Sequence, residues 1–189
     1  VTVRETDLPG VLLLEPDRHR DDRGFFSATW NEAWLASLPA DGFVQDNHSF
    51  NRAAGTVRGL HYQEAPHAQA KLLRVVAGSI LDVAVDLRPD SDTFARWTAV
   101  ELSAENWRQL FVPAGFAHGF CTLEPDTHVL YKISSAWTPE AERGIAWNDP
   151  DLGIEWPEFD RYVTSERDGT WPSLASLSTG GSWPSGGGA

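Results

Sequence analysis

Between Gln45 and Ile133 the chain is a series of short apolar runs, each closed by glycine, proline or a polar turn. The candidate strands cover residues 45–50, 56–61, 71–76, 80–87, 97–102, 109–112, 117–122 and 127–133. Two further extended runs precede them, at 11–14 and, after the turn Asp21-Asp-Arg-Gly24, at 25–30. Ala77-Gly78-Ser79 reads as a hairpin turn. In the run that follows, Leu81, Val83, Val85 and Leu87 alternate with Asp82, Ala84 and Asp86, which predicts a strand with one face buried. Many short strands with little helix between them must stack or close on themselves to cover their apolar faces. The expected class is all-β, a sandwich or barrel.

One helix is predicted within this plan. Thr29-x-x-Glu32 has the form of a capping box, Trp30, Trp34 and Leu38 share one side, and Pro39 ends the segment. Beyond Pro139 the pattern gives way to Trp-, Pro- and Asp-rich stretches that read as short helical turns on the outside. A length of 189 residues fits one domain, set at 1–177, and the Gly/Ser-rich residues 178–189 read as a disordered tail.

A net charge of −12 argues against nucleic acid and anionic membranes as partners. No apolar stretch is long enough to span a bilayer and none reads as a signal segment, so a cytoplasmic protein is expected. The single cysteine, Cys121, excludes an internal disulfide and any multi-cysteine metal site, and its apolar surroundings suit a packed thiol.

Two histidines stand out because each lies inside an apolar, strand-like run: His61 in Arg58-Gly-Leu-His61-Tyr-Gln and His118 in Pro113-Ala-Gly-Phe-Ala-His118-Gly-Phe. Either could be a core histidine, but each buried imidazole then needs its own polar partner. Two imidazoles aimed into one cavity suit proton transfer or metal binding. Pro113-x-Gly-x-x-His118 resembles the second motif of the cupin superfamily, which implies a cupin-type jelly-roll barrel with a few short peripheral helices. Metal-binding cupins carry His-x-His and a nearby Glu in the first motif. Here that stretch reads His61-Tyr62-Gln63, with only Glu64 nearby, so neither a metal nor another cofactor is expected.

Several longer motifs carry a more specific resemblance. Asp22-Arg-Gly-Phe-Phe26, Phe43-Val-Gln-Asp-Asn-His-Ser49, Arg58-Gly-Leu-His-Tyr-Gln63, Pro113 to Phe120 and Trp147-Asn-Asp-Pro-Asp-Leu-Gly-Ile-Glu-Trp-Pro157 resemble, in order and spacing, the dTDP-4-dehydrorhamnose 3,5-epimerase family. The likeness runs from about residue 4 to residue 172. It implies a metal-free homodimeric jelly roll that inverts ring carbons beside the C4 ketone of a dTDP-4-keto-6-deoxyhexose.

By that resemblance His61 is the base, Asp168 the carboxylate that orients it, and Tyr131 the acid on the opposite face. Arg58 matches a diphosphate ligand, Lys71 a residue near the ketone or phosphate, and Gln45, Asn47 and His118 further substrate contacts. Arg23 and Phe26 match residues that a partner subunit contributes to the nucleotide. Read alone, Asp168-Gly169 is a turn signal, Tyr131 a strand aromatic, and Arg58 and Lys71 charges at strand ends.

The chain departs from the family at Ala28, where a glutamate is usual, and at Ala136-Trp137-Thr138, where paired tyrosines are usual. Trp137 can still stack on thymine or wall the sugar, but it lacks a phenol, which favours inversion at one carbon, C3. Two rival readings are a dTDP-sugar 3,4-ketoisomerase and a non-catalytic sugar-binding cupin. Plain alternation also sends Arg58 and His61 to opposite faces. For both to serve one site, either Gly59 lies at a bulge or Arg58 reaches around a rim.

Overall fold

Alternating apolar residues and frequent turns produce thirteen strands among the described residues of the computed structural model, which are residues 1–178. In chain order these are β1 (Thr2–Glu5), β2 (Leu12–Glu15), β3 (His19–Asp21), β4 (Gly24–Phe26), β5 (Gln45–Asn51), β6 (Val57–Gln63), β7 (Lys71–Ala77), β8 (Ser79–Asp86), β9 (Trp97–Ser103), β10 (Gln109–Val112), β11 (Phe116–Thr122), β12 (Thr127–Ile133) and β13 (Glu142–Gly144). The eight runs expected between 45 and 133 all appear, with ends shifted by at most two residues. β1 and β13, short and polar, carry no periodic signal. The expected tail lies almost wholly outside the described residues, and Ser178 closes a short helix, Leu174–Ser178.

The strands form an antiparallel six-stranded sheet, β1-β2-β10-β7-β12-β5, facing a five-stranded one, β13-β6-β11-β8-β9. The chain is the all-β jelly roll that its motifs imply. The hairpin β3–β4 stands apart as a two-stranded ribbon.

Three apolar layers hold this arrangement. Between the sheets lie Leu73, Val75, Ile80, Leu110, Phe116, Phe120 and Val129. Behind the five-stranded sheet, Leu60, Val83, Val85 and Ile145 pack with Trp147, Trp156 and Leu174 of the C-terminal segment. Behind the six-stranded sheet, Leu14, Leu72 and Phe111 pack with Trp30, Trp34, Leu38 and Phe43. Full burial of side chains of this size contributes about 1.5–3 kcal/mol each, so both outer layers are strongly attached.

This layering corrects the reading of β8 as a strand with one open face. Val83 and Val85 are sealed by the C-terminal segment, and Asp82, Ala84 and Asp86 are equally buried facing the other way. The capping box also differs. The helix is a 3₁₀ segment, Glu32–Ser37, capped by Asn31, whose Oδ1 accepts from Ala33 N at 2.9 Å. Thr29 instead lends its carbonyl to Gln109 Nε2 at 2.9 Å.

Asp86 closes the loop after β8. It accepts from Arg88 (2.7 Å), Ser91 (2.6 Å) and Thr93 (2.6 Å) through one oxygen. Burial works to raise its pKa, but these hydrogen bonds prevail and bring it from 3.8 down to about 2. A carboxyl depressed on folding contributes stability that is complete above the unfolded pKa and lost as pH falls through the folded one. Between about pH 4 and pH 2 the protein should lose about 2 kcal/mol through this group. Urea titrations across that window check it, because Asp86→Asn should be less stable at neutral pH and correspondingly flatter in acid.

Candidate active site

The two facing sheets carry different halves of one site. From the five-stranded sheet come Arg58 and His61 on β6, His118 on β11 and Glu142 on β13, and from the six-stranded sheet Gln45 and Asn47 on β5, Lys71 on β7 and Tyr131 on β12. Three adjoining cavities of about 240, 200 and 350 Å³ lie at their junction, and His61 and Glu142 line all three. The first also holds Gln45, Asn47, Lys71, Tyr131 and Trp137, the second Arg58, Lys71, His118, Tyr131 and Asp168.

Arg58 and His61 share the second cavity because the β6–β11 ladder slips. His61 pairs with His118 while Arg58 pairs with Phe120, so three steps on β6 oppose two on β11. This is the bulge alternative. Glycine makes it sterically possible: Gly59 has φ +129°, and a Cβ there would stand 2.5 Å from Gly119 Cα and 2.9 Å from the His118 carbonyl. Its mirror neighbour is as tight, since a Cβ on Gly119 would meet the Arg58 carbonyl at 2.7 Å. Only two glycines can cross so closely.

His61 Nε2 lies 2.5 Å from Asp168 Oδ1. Asp168 also receives Trp171 Nε1 at 3.3 Å. Its burial favours the neutral acid, but the His61 hydrogen bond and charge, with Ser165 and Trp171, hold its pKa below the usual carboxylate value. An ionised carboxylate only accepts hydrogen bonds, so Nε2 is the donor in this pair and Nδ1 is the ring nitrogen not engaged by Asp168. The ring is 28% exposed, enough for a ligand to reach it.

His118 forms a second pair deeper in the barrel. Its Nε2 lies 2.7 Å from Asp82 Oδ1, and Asp82 is fully buried. Burial pushes the His118 pKa down against the pull of Asp82, and Lys71 and His61 reinforce that direction, so the ring is neutral. Asp82 Oδ2 has no hydrogen-bond partner among the described residues.

Lys71 Nζ donates to the His61 carbonyl at 3.3 Å. Burial lowers its pKa to about 8, with Glu142 and Asp82 opposing the shift. Burial also raises the Tyr131 phenol, with Arg58 opposing and Glu142 adding to the rise. Tyr131 is therefore a protonated donor at neutral pH, and Lys71 a cation without a long solvent shell.

Trp137 is half-exposed at the rim of the first cavity, where its indole donates to Glu142 Oε2 at 3.1 Å and its backbone N–H to Gln45 Oε1 at 3.2 Å. Gln45 Nε2 in turn donates to Asn47 Oδ1 at 2.8 Å. Arg58 Nε reaches Asn51 Oδ1 at 2.7 Å. Arg23 and Phe26 line none of these cavities. They sit on the β3–β4 hairpin, Arg23 paired with Asp21 at 2.6 Å and Phe26 74% exposed.

Sequence reasoning missed Glu142 and Asp82. Alternation gave Asp82 a solvent-facing role, and Glu142 lies in a polar stretch whose only signal is its proximity to the Trp137 loop. Among the described residues no group of three or more His, Cys, Asp or Glu side chains is arranged to hold a metal ion. Both site imidazoles are instead committed to a carboxylate each. No helix among the described residues is long and apolar enough to cross a membrane.

A base on one sheet facing a phenol on the other is an arrangement that can move protons on and off opposite faces of a bound ring. Known proteins share the whole frame. A family model described as dTDP-4-dehydrorhamnose 3,5-epimerase matches residues 5–176. The dTDP-4-dehydrorhamnose 3,5-epimerase of Sinorhizobium fredii is 49% identical over 168 residues, covering 88% of this chain and 86% of its own. The Bacillus anthracis dTDP-4-dehydrorhamnose 3,5-epimerase, solved with TDP and PPi bound, is 48% identical with a TM-score of 0.88, over 92% of this chain and 99% of that one. A 3'-monoepimerase from Streptomyces bikiniensis, solved with dTDP-quinovose, is 35% identical with a TM-score of 0.89, over 95% and 91%. With the matched model spanning nearly every described residue, the chain belongs to the dTDP-4-dehydrorhamnose 3,5-epimerase family.

Proposed function

We propose that this chain epimerises a dTDP-4-keto-6-deoxyhexose at carbons beside the C4 ketone, with His61 as base, Asp168 as its orienting carboxylate and Tyr131 as acid. One observation carries the reading: the His61–Asp168 pair and Tyr131 line the same cavity from opposing sheets. A C–H next to a ketone is acidic because its electron pair delocalises onto oxygen. His61 Nδ1 takes the proton from one face, the enolate oxygen is stabilised by Lys71, and the Tyr131 hydroxyl returns a proton to the other face. The configuration inverts, the imidazolium stabilised by Asp168 loses its proton to solvent, and the Tyr131 phenolate regains one from solvent.

The remaining side chains supply binding. Arg58 offers a planar fork to the diphosphate. Gln45, Asn47 and the neutral His118 offer hydrogen bonds to the sugar, and Trp137 walls its outer side. Arg23 and Phe26 serve a second copy: an exposed hairpin carrying Phe25 and Phe26, together with an open edge strand β5 bearing exposed Phe50, fits a homodimer in which each hairpin reaches its neighbour's nucleotide.

Following the dTDP-4-keto sugar by NMR in D₂O tests the reading. Deuterium should enter beside the ketone while the carbonyl stays at C4. Entry at C3 should come first, with C5 slow, because Trp137 stands where the family usually has a tyrosine phenol beside the sugar. Migration of the carbonyl would identify a ketoisomerase instead, and no exchange at all a binding protein.

A further inference from the structure

The chain has six histidines, and their partners differ in kind. His61 and His118 each face a carboxylate, and His67 Nδ1 lies 3.2 Å from Thr138 Oγ1. His48 on β5 and His128 on β12 instead face each other, with His48 Nε2 2.8 Å from His128 Nδ1. Both stand on the outer face of the six-stranded sheet. On β5 the side chains of Gln45 and Asn47 turn to the catalytic cavity, so Asp46, His48 and Phe50 turn away from it. On β12 Tyr131 turns inward, and His128, Leu130 and Lys132 outward. The ladder sets Phe50 opposite His128 and Leu130 opposite His48, so the two imidazoles meet on a diagonal between strands.

No other hydrogen bond holds either ring among the described residues, and the nearby Asp46 carboxylate is taken by Lys132 at 2.8 Å. The spacing of the two nitrogens is also that of a chelate. Imidazole nitrogens about 2.0 Å from one ion and at a right angle to each other stand about 2.8 Å apart, whereas a tetrahedral ion would spread them to about 3.3 Å. A right angle between nitrogen donors is the square-planar preference of Cu²⁺ and Ni²⁺. To bind, the ring that donates moves its proton to its other nitrogen, and the two lone pairs turn toward one point, with no net loss of a proton. Phe50 backs His128 with ring centroids 4.8 Å apart, so one ligand is held while the exposed His48 can swing to meet it.

We propose that His48 and His128 form a two-imidazole chelate for a divalent ion of square-planar preference, Cu²⁺ or Ni²⁺, with water in the remaining positions. Among the described residues no third His, Cys, Asp or Glu completes the set, so the ion stays open to exchange. The site lies across the sheet from the His61–Asp168 pair, and the ion takes no part in moving protons on the sugar. Its effect is structural. β5 is an edge strand whose one ladder neighbour is β12, and an ion held between them fastens the strands that carry Gln45, Asn47 and Tyr131 into the cavity.

Titrating the metal-free full chain with CuCl₂, in the oligomeric state it has in solution, tests the proposal, with electron paramagnetic resonance as a second readout. The wild type should take up Cu²⁺ with nitrogen hyperfine structure from two imidazoles, and its Tm should rise with the ion. His48→Gln and His128→Gln should each weaken binding about 10²-fold, the loss of an intramolecular second ligand, and abolish the rise in Tm. His19→Gln, at an exposed histidine on the β3–β4 hairpin, should leave both unchanged. A wild-type spectrum with fewer than two imidazole nitrogens would overturn the proposal without recourse to any variant. So would wild-type affinity in either His48→Gln or His128→Gln, or an equal loss in His19→Gln, which would mark adventitious surface binding only.

Discussion

His61→Asn is expected to cut deuterium exchange at the sugar carbons by about 10³-fold or more, within the range lost when a positioned general base is removed. Asparagine keeps a polar side chain of similar reach, but its amide has no lone pair basic enough to take a proton from carbon. The substitution sits at a partly exposed ring, so folding should be spared. Arg58, Lys71, Gln45 and Asn47 remain, and dTDP should bind as it does to the wild type. Exchange measured at saturating substrate, beside calorimetric binding of dTDP, separates the two. Near wild-type exchange in this variant would mean that another group takes the proton, and the carboxylate-oriented geometry of His61 would then serve only to bind.

Tyr131→Phe should produce a different failure. The ring still fills its place between the sheets, and His61 still removes the proton, so deuterium should enter the sugar. What is lost is delivery from the opposite face. The enolate then recaptures a solvent-derived proton from His61, and the starting configuration returns with the label in place. Net inversion should fall about 10²-fold while exchange falls much less. Comparing label uptake with product configuration by NMR reads this split directly. Inversion at the wild-type rate would take Tyr131 out of the reaction, and equal loss of uptake and inversion would assign it to binding.

The parts of this architecture that sequence reasoning reached are those written in local periodicity. Alternating runs locate eight central strands, and two histidines inside them point to the cavity. What it missed depends on partners far away. β8 read as half-open because nothing local says that Trp147, Trp156 and Leu174 will cover its outer face, and that error also placed Asp82 in solvent. Asp168, 107 residues beyond His61, is locally a turn residue, and only a family likeness singled it out. Thr29 and Asn31 both suit a helix cap, and the choice fell to Asn31 once Gln109 had engaged the Thr29 carbonyl. The Arg58–His61 parity conflict, by contrast, was visible in the sequence as a contradiction, and its answer lay in the two glycines that cross beneath it.

That crossing has a consequence for which substrates the protein can accept. The group proposed to grip the diphosphate and the group proposed to take the proton are spaced by four consecutive residues of one strand, Arg58 to His61, whose path is dictated by contact with Gly119. The interval works as a ruler made of backbone. Exchanging side chains around the cavity can retune which sugar hydroxyls are recognised, but it leaves the graduation of the ruler alone. A nucleotide sugar whose acidic carbon lies one bond nearer to or farther from its phosphates should therefore bind and stay unreacted. Changing that distance by design would mean rebuilding two strands together.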